Sequence, residues 1–307
     1  IDKGRISYML DIVIIGSGPA GITAAIYAKR ANLNVAVVEK EYLGTGQIAE
    51  SSRVDNYPGI PGIDGYSLGE KFREHAESLG VEFTEAQVLS LGQKDGIWII
   101  GCDEDITLES KAVIYATGCK NRPLGVPGEE KYYGRGLSFC AVCDGAFYKG
   151  KSVAVIGGGD TALDDAMYLS DICEKVYLVH RREFFRGSAS TLEKLKQKEN
   201  VEIIVNARVE EITGDKKIDG IILDNKTKLN ISGLFAAVGM VPQTELLKEF
   251  GVLDESNYVK ASEDTKTTVN GLFAAGDVRT KQLRQVVTAA ADGANAIYSV
   301  MEYLRNI

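Results

Sequence analysis

Two glycine-rich turns, Gly16-Ser17-Gly18-Pro19-Ala20-Gly21 and Gly157-Gly158-Gly159-Asp160-Thr161-Ala162, stand 141 residues apart in this chain of 307. Each follows a short apolar run, residues 10–15 or 152–156, and each opens a helix-favouring stretch, alanine-rich in the first case. A further apolar run closes each unit, residues 35–38 and 175–179. Strand, glycine turn, helix and strand in that order make the βαβ unit of a dinucleotide-binding fold. In the first turn Gly16 permits the sharp reversal, Gly18 lets backbone approach a pyrophosphate, and Gly21 lets the helix pack near the strand. Free N–H groups at the helix start then face the phosphates. In the second turn Ala162 takes the place of the third glycine.

The residue that ends each unit differs in charge. Glu39, 23 residues past Gly16, can accept hydrogen bonds from ribose hydroxyls and would repel a 2′-phosphate. The same offset from Gly157 reaches His180, followed by Arg181 and Arg182, with Arg186 about a helical turn further. Guanidinium forks bind phosphate oxygens bidentately, so the second unit reads as a site for NADPH rather than NADH. A solvated basic loop is the plainer alternative, and the matched offset argues against it. Asp160 has a plain alternative too, as a helix N-cap.

Echoes of the repeat follow at Ala116-Thr117-Gly118 and Ala237-Val238-Gly239, each after an apolar strand. Between turn and echo, residues 82–91 and 97–101, or 202–213 and 218–223, fit small antiparallel meanders packed on a parallel sheet. After the second echo come a strand at 271–275, Gly276-Asp277 and a helical pattern over 284–304. That tail is too short for a third domain, so it is expected to return to the first lobe. The expected fold class is α/β, with two Rossmann-like, three-layer ββα nucleotide-binding domains, one inserted in the other. The outer domain spans 9–117 and 245–307, and the inserted one 118–244.

Composition narrows the function classes. With 35 basic and 43 acidic side chains the net charge is −8, which disfavours nucleic acid as a partner. The longest apolar runs, such as 12–15 and 234–238, are strand-length and fall short of the roughly 18 residues of a membrane helix, so no membrane partner is expected. Asp11 and Gly16 interrupt the apolar stretch after Lys3 and Arg5, leaving no export signal. Met9 is the first methionine, and residues 1–8 are read as an expression remnant. Five cysteines, irregularly spaced, do not make a disulfide framework and point to a reducing cytoplasm.

One pair stands out, Cys140-x-x-Cys143, the spacing of a small, readily reduced disulfide ring in which one thiol commonly has a lowered pKa. Asp144 beside it can carry the proton that sulfur chemistry requires. A zinc site would need a second ligand pair, which Cys102, Cys119, Cys173, His75 and His180 do not supply at usual spacing, so no metal is expected. Cys102, Cys119 and Cys173 read as small apolar packers.

From about residue 11 to 304 the chain resembles the bacterial low-molecular-weight, FAD- and NADPH-dependent thioredoxin reductases. The matching segments are both glycine turns, Gly46-Gln47, Asn56-Tyr57-Pro58-Gly59, Ala116-Thr117-Gly118, Ser138-Phe139-Cys140-Ala141-Val142-Cys143-Asp144-Gly145, His180-Arg181-Arg182 with Arg186, and Gly276-Asp277-Val278 with Arg284-Gln285. Departures are Val142 where threonine is common, Gly187 where alanine is common, Gln243 where asparagine is common, and Thr45 inserted before Gly46. None removes a group the chemistry needs.

The resemblance implies FAD in the outer domain, at Gly16, Gly18, Pro19, Ala20 and Gly21, with Glu39 on the adenosine ribose and Gly46, Gln47 and Asn56 toward the flavin. It adds Thr117 and Gly118 at the crossover, Gly276 with Asp277 on the ribityl or pyrophosphate portion, and Arg284, Gln285 and Val286 by the isoalloxazine edge. NADPH would lie on Gly158, Gly159, Asp160, Thr161, Ala162, His180, Arg181, Arg182 and Arg186. Cys143 would be the sulfur nearer the flavin, Cys140 the one that attacks the partner, and Asp144 the acid. A homodimer and a thioredoxin or thioredoxin-like dithiol partner are implied as well. The alternatives keep the fold and change the chemistry's ends: another small dithiol protein as acceptor, or a ferredoxin-linked flavin disulfide reductase. Because disulfide and nicotinamide share one lobe and the flavin sits in the other, rotation about hinges near 117–122 and 240–244 is expected between half-reactions.

Overall fold

In the computed structural model the strand Leu10–Ile15 sends Ile12 and Ile14 to one face of its sheet and Val13 and Ile15 to the other, all four buried. A strand apolar on both faces needs a covering layer on each. The structure describes residues 9–41, 46–51 and 53–307; the remnant reading of 1–8 and the Thr45 insertion lie outside them.

The chain divides into two compact units. The first holds the described residues up to Ser51, together with Tyr57–Lys120 and Val241–Ile307. Its parallel strands run Glu82–Glu85, Val35–Glu39, Leu10–Ile15, Thr107–Tyr115, with Leu272–Ala274 also parallel to the last. The helices Pro19–Arg30, Gly65–Ser78 and Val286–Leu304 cover the face that carries Ile12, Val35, Val37 and Ile114. On the other face Trp98, Ile100 and Leu108 of an antiparallel meander pack with Val13, Val38 and Val113. Thr107–Tyr115 serves both layers: its first residues pair antiparallel with Ile97–Cys102, its later ones parallel with Leu10–Ile15. Each fully buried Val or Ile contributes about 1.5–3 kcal/mol, so this double-faced sheet dominates the unit's stability.

The second unit holds Asn121–Met240 together with Arg53–Asn56. Its parallel strands run Val201–Val205, Lys175–His180, Ser152–Gly157, Gly233–Ala237, Leu137–Ser138. The helix Asp160–Ser170 buries Ala162, Leu163, Ala166 and Leu169 against Val153, Val155 and Leu178. A separate three-stranded meander, Val209–Thr213, Gly220–Leu223 and Lys228–Asn230, covers Ala154, Ile156 and Val179.

Three differences from the sequence reading have local causes. Residues 82–91 and 202–213 each break in two: Glu82–Glu85 and Val201–Val205 are parallel edge strands, and only the strands Val88–Lys94 and Val209–Thr213 enter a meander. The break falls where Ala86 N–H donates to Glu39 O (2.7 Å) and, in the second unit, Ala207 N–H to His180 O (3.2 Å). The last helix starts at Val286, because Gln285 and Thr288 cap it reciprocally. The units exchange chain at 120/121 and 240/241 rather than at 117/118 and 244/245. Residues 118 and 243 stay with the first unit, where Gln243 N–H donates to Gly118 O (3.1 Å) and its carbonyl accepts from Tyr115 Oη (2.9 Å) and Thr117 Oγ1 (2.8 Å).

Candidate active site

Cys140 and Cys143 are joined in a disulfide with Cα atoms 5.3 Å apart. The short helix Ala141–Asp144 makes this possible, since one turn brings positions three apart to the same side; Cys140 is its N-cap, and its Sγ accepts from Cys143 N–H at 3.2 Å. Ser138, at the end of the strand Leu137–Ser138, ties the turn together: its Oγ accepts from Cys140 N–H (3.1 Å) and donates to Asp144 Oδ2 (2.6 Å). Burial pushes the Asp144 carboxyl above its ordinary value, and the Ser138 hydrogen bond pulls part of the way back. The result is a carboxyl that keeps its proton to higher pH than a solvated one, next to a reducible bond.

In the first unit Gly16 has φ +105°, and a Cβ on Gly21 would come within 1.9 Å of Gly16 O, so strand and helix meet more closely than side chains permit. Gly18 is the N-cap, Pro19 the first helical residue, and no side chain caps the helix, which leaves its N–H groups for a ligand. Ala20 is buried behind them. Gly46 opens the 3₁₀ turn Gly46–Glu50 that carries half-buried Gln47, and a Cβ on it would lie 3.3 Å from Gly18 Cα. Asn56 is exposed and groups with the second unit.

Glu39 is buried at the end of its strand; its Oε1 is ion-paired with Arg73, whose guanidinium stacks 3.7 Å from the Phe83 ring and also binds Glu77 at 2.8 Å. Its Oε2 is buried and has no partner among the described residues, and neither has Asp277 Oδ1. Burial pushes the Asp277 carboxyl up, against Lys281 and Arg284. Orphaned buried acceptors are costly unless a donor arrives. A ribose and a ribityl chain are rows of hydroxyl donors, so the two carboxylates fit FAD.

The backbone around Asp277 is held from three sides. Its carbonyl accepts from Cys119 Sγ (2.9 Å) and Arg284 Nε (3.3 Å), and Arg284 lies 4.3 Å over the Tyr258 ring. Gly276 N–H donates to Asp292 Oδ2 (2.8 Å), which the buried Arg279 and Lys281 also grip. Burial alone would raise the Asp292 carboxyl, but Arg279 and Lys281 outweigh it and hold it low. Gln285 caps the final helix and Val286 begins it, half-buried. Thr117 and Gly118 bind residue 243, with Gly118 at φ +67°.

In the second unit Gly159, not Asp160, is the N-cap, again without a capping side chain; Thr161 is exposed and Ala162 buried. The N-cap alternative for Asp160 therefore fails: it is the first helical residue, and its Oδ1 accepts from Ser188 N–H (2.7 Å). His180 is turned inward, 6% exposed, beneath Gly158, with Nε2 donating to Phe184 O (3.2 Å). Burial, then the nearby Arg181, Arg182 and Arg186, hold it below its ordinary value and neutral. The three arginines are exposed and have no ion-pair partner among the described residues, which fits a 2′-phosphate.

Arg73, Ser138, Tyr258, Arg279, Lys281 and Asp292 had no assigned role in the sequence reading. Ser138 and Arg279 sit beside recognised motifs, and that adjacency was the available signal. Arg73, Tyr258 and Asp292 reach the site across the fold, and no local pattern marks them. Cys102, Cys119 and Cys173 are buried and not disulfide-bonded, and burial pushes all three thiols up to about 11.

Residues 10–293 match the family model described as pyridine nucleotide-disulphide oxidoreductase. The 34.2 kDa protein in the rubredoxin operon of Clostridium pasteurianum is 39% identical over 303 residues, covering 96% of this chain and 97% of its own. Thioredoxin reductase of Bacillus subtilis (strain 168) is 38% identical over 305 residues, 97% of this chain and 95% of its own. The crystal structure of thioredoxin reductase from Streptococcus pyogenes MGAS5005 superposes with a TM-score of 0.92 at 40% identity, covering 97% and 99% of the two chains.

Proposed function

The chain belongs to the pyridine nucleotide-disulphide oxidoreductases, within them to the thioredoxin reductases that use FAD and NADPH, and on that footing we propose that it reduces a thioredoxin disulfide at the expense of NADPH. FAD would be held in the first unit by the Gly16–Gly21 turn, Glu39 and Asp277. NADPH would be held in the second unit by the second glycine turn and the arginines. FAD, when bound, supplies the two-electron relay between nicotinamide and disulfide.

The observation that carries the reading is the Cys140–Cys143 disulfide with the Asp144 carboxyl beside it, pushed above its ordinary value by burial. Two electrons and one proton open the bond to the Cys140 thiolate and the Cys143 thiol. Cys140 attacks one sulfur of the thioredoxin disulfide and forms a mixed disulfide, and the departing thioredoxin sulfur takes a proton from Asp144. Cys143 then attacks the Cys140 sulfur, closing the ring; its proton passes to the second thioredoxin sulfur as that sulfur leaves, and Asp144 regains a proton from solvent.

NADPH oxidation should depend on oxidised thioredoxin and stop in Cys140→Ser. Flavin reduction by NADPH without turnover on thioredoxin would leave the cofactors in place and assign another dithiol partner. No reduction by NADPH would refute the nicotinamide assignment and favour a ferredoxin-type donor.

Rotation of the inserted domain between half-reactions is part of this proposal; a crosslink between the units that left turnover unchanged would refute it. So are a homodimer and a cytoplasmic location, the first checked by sedimentation of the flavin-loaded protein.

A further inference from the structure

We propose that Asp160 is a positioning residue for coenzyme specificity, clamping the arginine-bearing loop onto the second glycine turn so that Arg186 is pre-set for a 2′-phosphate. The inference rests on the reading of this unit as the NADPH site.

A carboxylate is out of place in the first turn of a helix that faces a pyrophosphate, since its charge repels the ligand that the helix end attracts. Here the carboxylate is engaged elsewhere, because Asp160 Oδ1 accepts Ser188 N–H at 2.7 Å. Alongside it Gly158 O accepts from both Arg186 N–H (2.7 Å) and Gly187 N–H (3.2 Å). Three successive backbone donors, 186 to 188, are thus stitched to the glycine turn.

Gly187 lets them come so close. A Cβ there would lie 2.8 Å from Asp160 N, from Gly159 C and from Leu163 Cδ1. Two of those atoms are backbone, so in this chain the approach is closer than a Cβ would allow without a shift of the segment or the turn. On the opposite side of the turn the His180 ring fills the space of a Gly158 side chain, and its hydrogen bond to Phe184 O holds the start of the same loop.

A long side chain loses rotamer freedom when it grips a ligand, and a backbone already fixed reduces that cost. Arg186 has its main chain fixed and its guanidinium exposed.

The test is calorimetric titration of adenosine 2′,5′-bisphosphate and of 5′-AMP into the flavin-loaded protein. The two ligands differ only in the 2′-phosphate. The readout is their affinity ratio, which needs no turnover. Asp160→Ala is expected to lower the wild-type ratio about fivefold, the effect of one hydrogen bond. Asp160→Asn should restore it, because its Oδ1 still accepts from Ser188 N–H.

Charge alone predicts the opposite sign, since deleting a carboxylate favours the more highly charged ligand. A raised ratio in Asp160→Ala therefore overturns the clamp, and so does an unchanged ratio or equal weakening of both ligands. Arg186→Ala separates the clamp from the site: if it lowers the ratio and Asp160→Ala does not, the NADPH reading stands and the clamp falls. A wild type that does not prefer the bisphosphate overturns both.

Discussion

The Asp144 carboxyl sits between two opposing influences, burial that raises it and the Ser138 hydroxyl that lowers it. A general acid must be protonated, so turnover falls as pH rises through its pKa. Removing the hydroxyl in Ser138→Ala takes away the lowering influence. The alkaline limb of kcat with thioredoxin is then expected to move to higher pH, and a limb that stays put or moves down would show that the pair does not govern it. Asp144→Asn should lower that kcat by about 100-fold, measured in the same assay. The remaining thiols give the contrasting case. Cys102, Cys119 and Cys173, raised to about 11, stay protonated near neutrality and are out of reach. Iodoacetamide is therefore expected to leave the oxidised protein unlabelled and, after reduction, to label Cys140 and Cys143 alone; peptide mapping that found Cys119 modified in the folded protein would contradict this.

Among the elements, the helix Val286–Leu304 does more than cover a sheet, because Asp292 on it anchors Gly276 and neutralises Arg279 and Lys281. Asp292→Asn leaves the buried Lys281 ammonium without its anion and Arg279 with only the exposed Glu263, which should cost about 3 kcal/mol in urea unfolding at pH 7. The Asp292 pKa is held below its unfolded value, so this contribution is present above the unfolded pKa and is lost as pH falls through the folded one. The gap between wild type and variant is therefore expected to narrow below about pH 4; a constant gap would mean that the charge is not what matters. Such cross-fold anchors mark the limit of what the sequence discloses. The glycine turns, their strands and their helices were legible because residue type and period announce them locally. The split at Ala86 and Ala207 was not, because which strand an edge segment joins depends on a partner 47 or 27 residues away, Glu39 or His180, rather than on its own composition. Likewise cysteines, arginines and glycines declared a chemistry by type and spacing, whereas Arg73 behind Glu39 is simply a charged residue on a helix until the fold brings the two together.

At the scale of the whole molecule, each unit has a parallel sheet with buried residues on both faces and its own two covering layers. A unit with a complete core can unfold as a cooperative body, and a chain of two such units need not be two-state. Ligands then act as labels, because a ligand that binds only the folded form stabilises the unit that holds it. On the proposed assignment FAD belongs to the first unit and adenosine 2′,5′-bisphosphate to the second. Scanning calorimetry of the FAD-stripped protein is expected to resolve two transitions, of which added FAD raises one and the bisphosphate the other. At about 100 times the dissociation constant each ligand contributes about 2.7 kcal/mol, a rise of roughly 5–10 °C for a unit of this size. If both ligands raised the same transition, the two cofactors would share a unit, and the division of labour argued from Glu39 and Arg186 would be wrong.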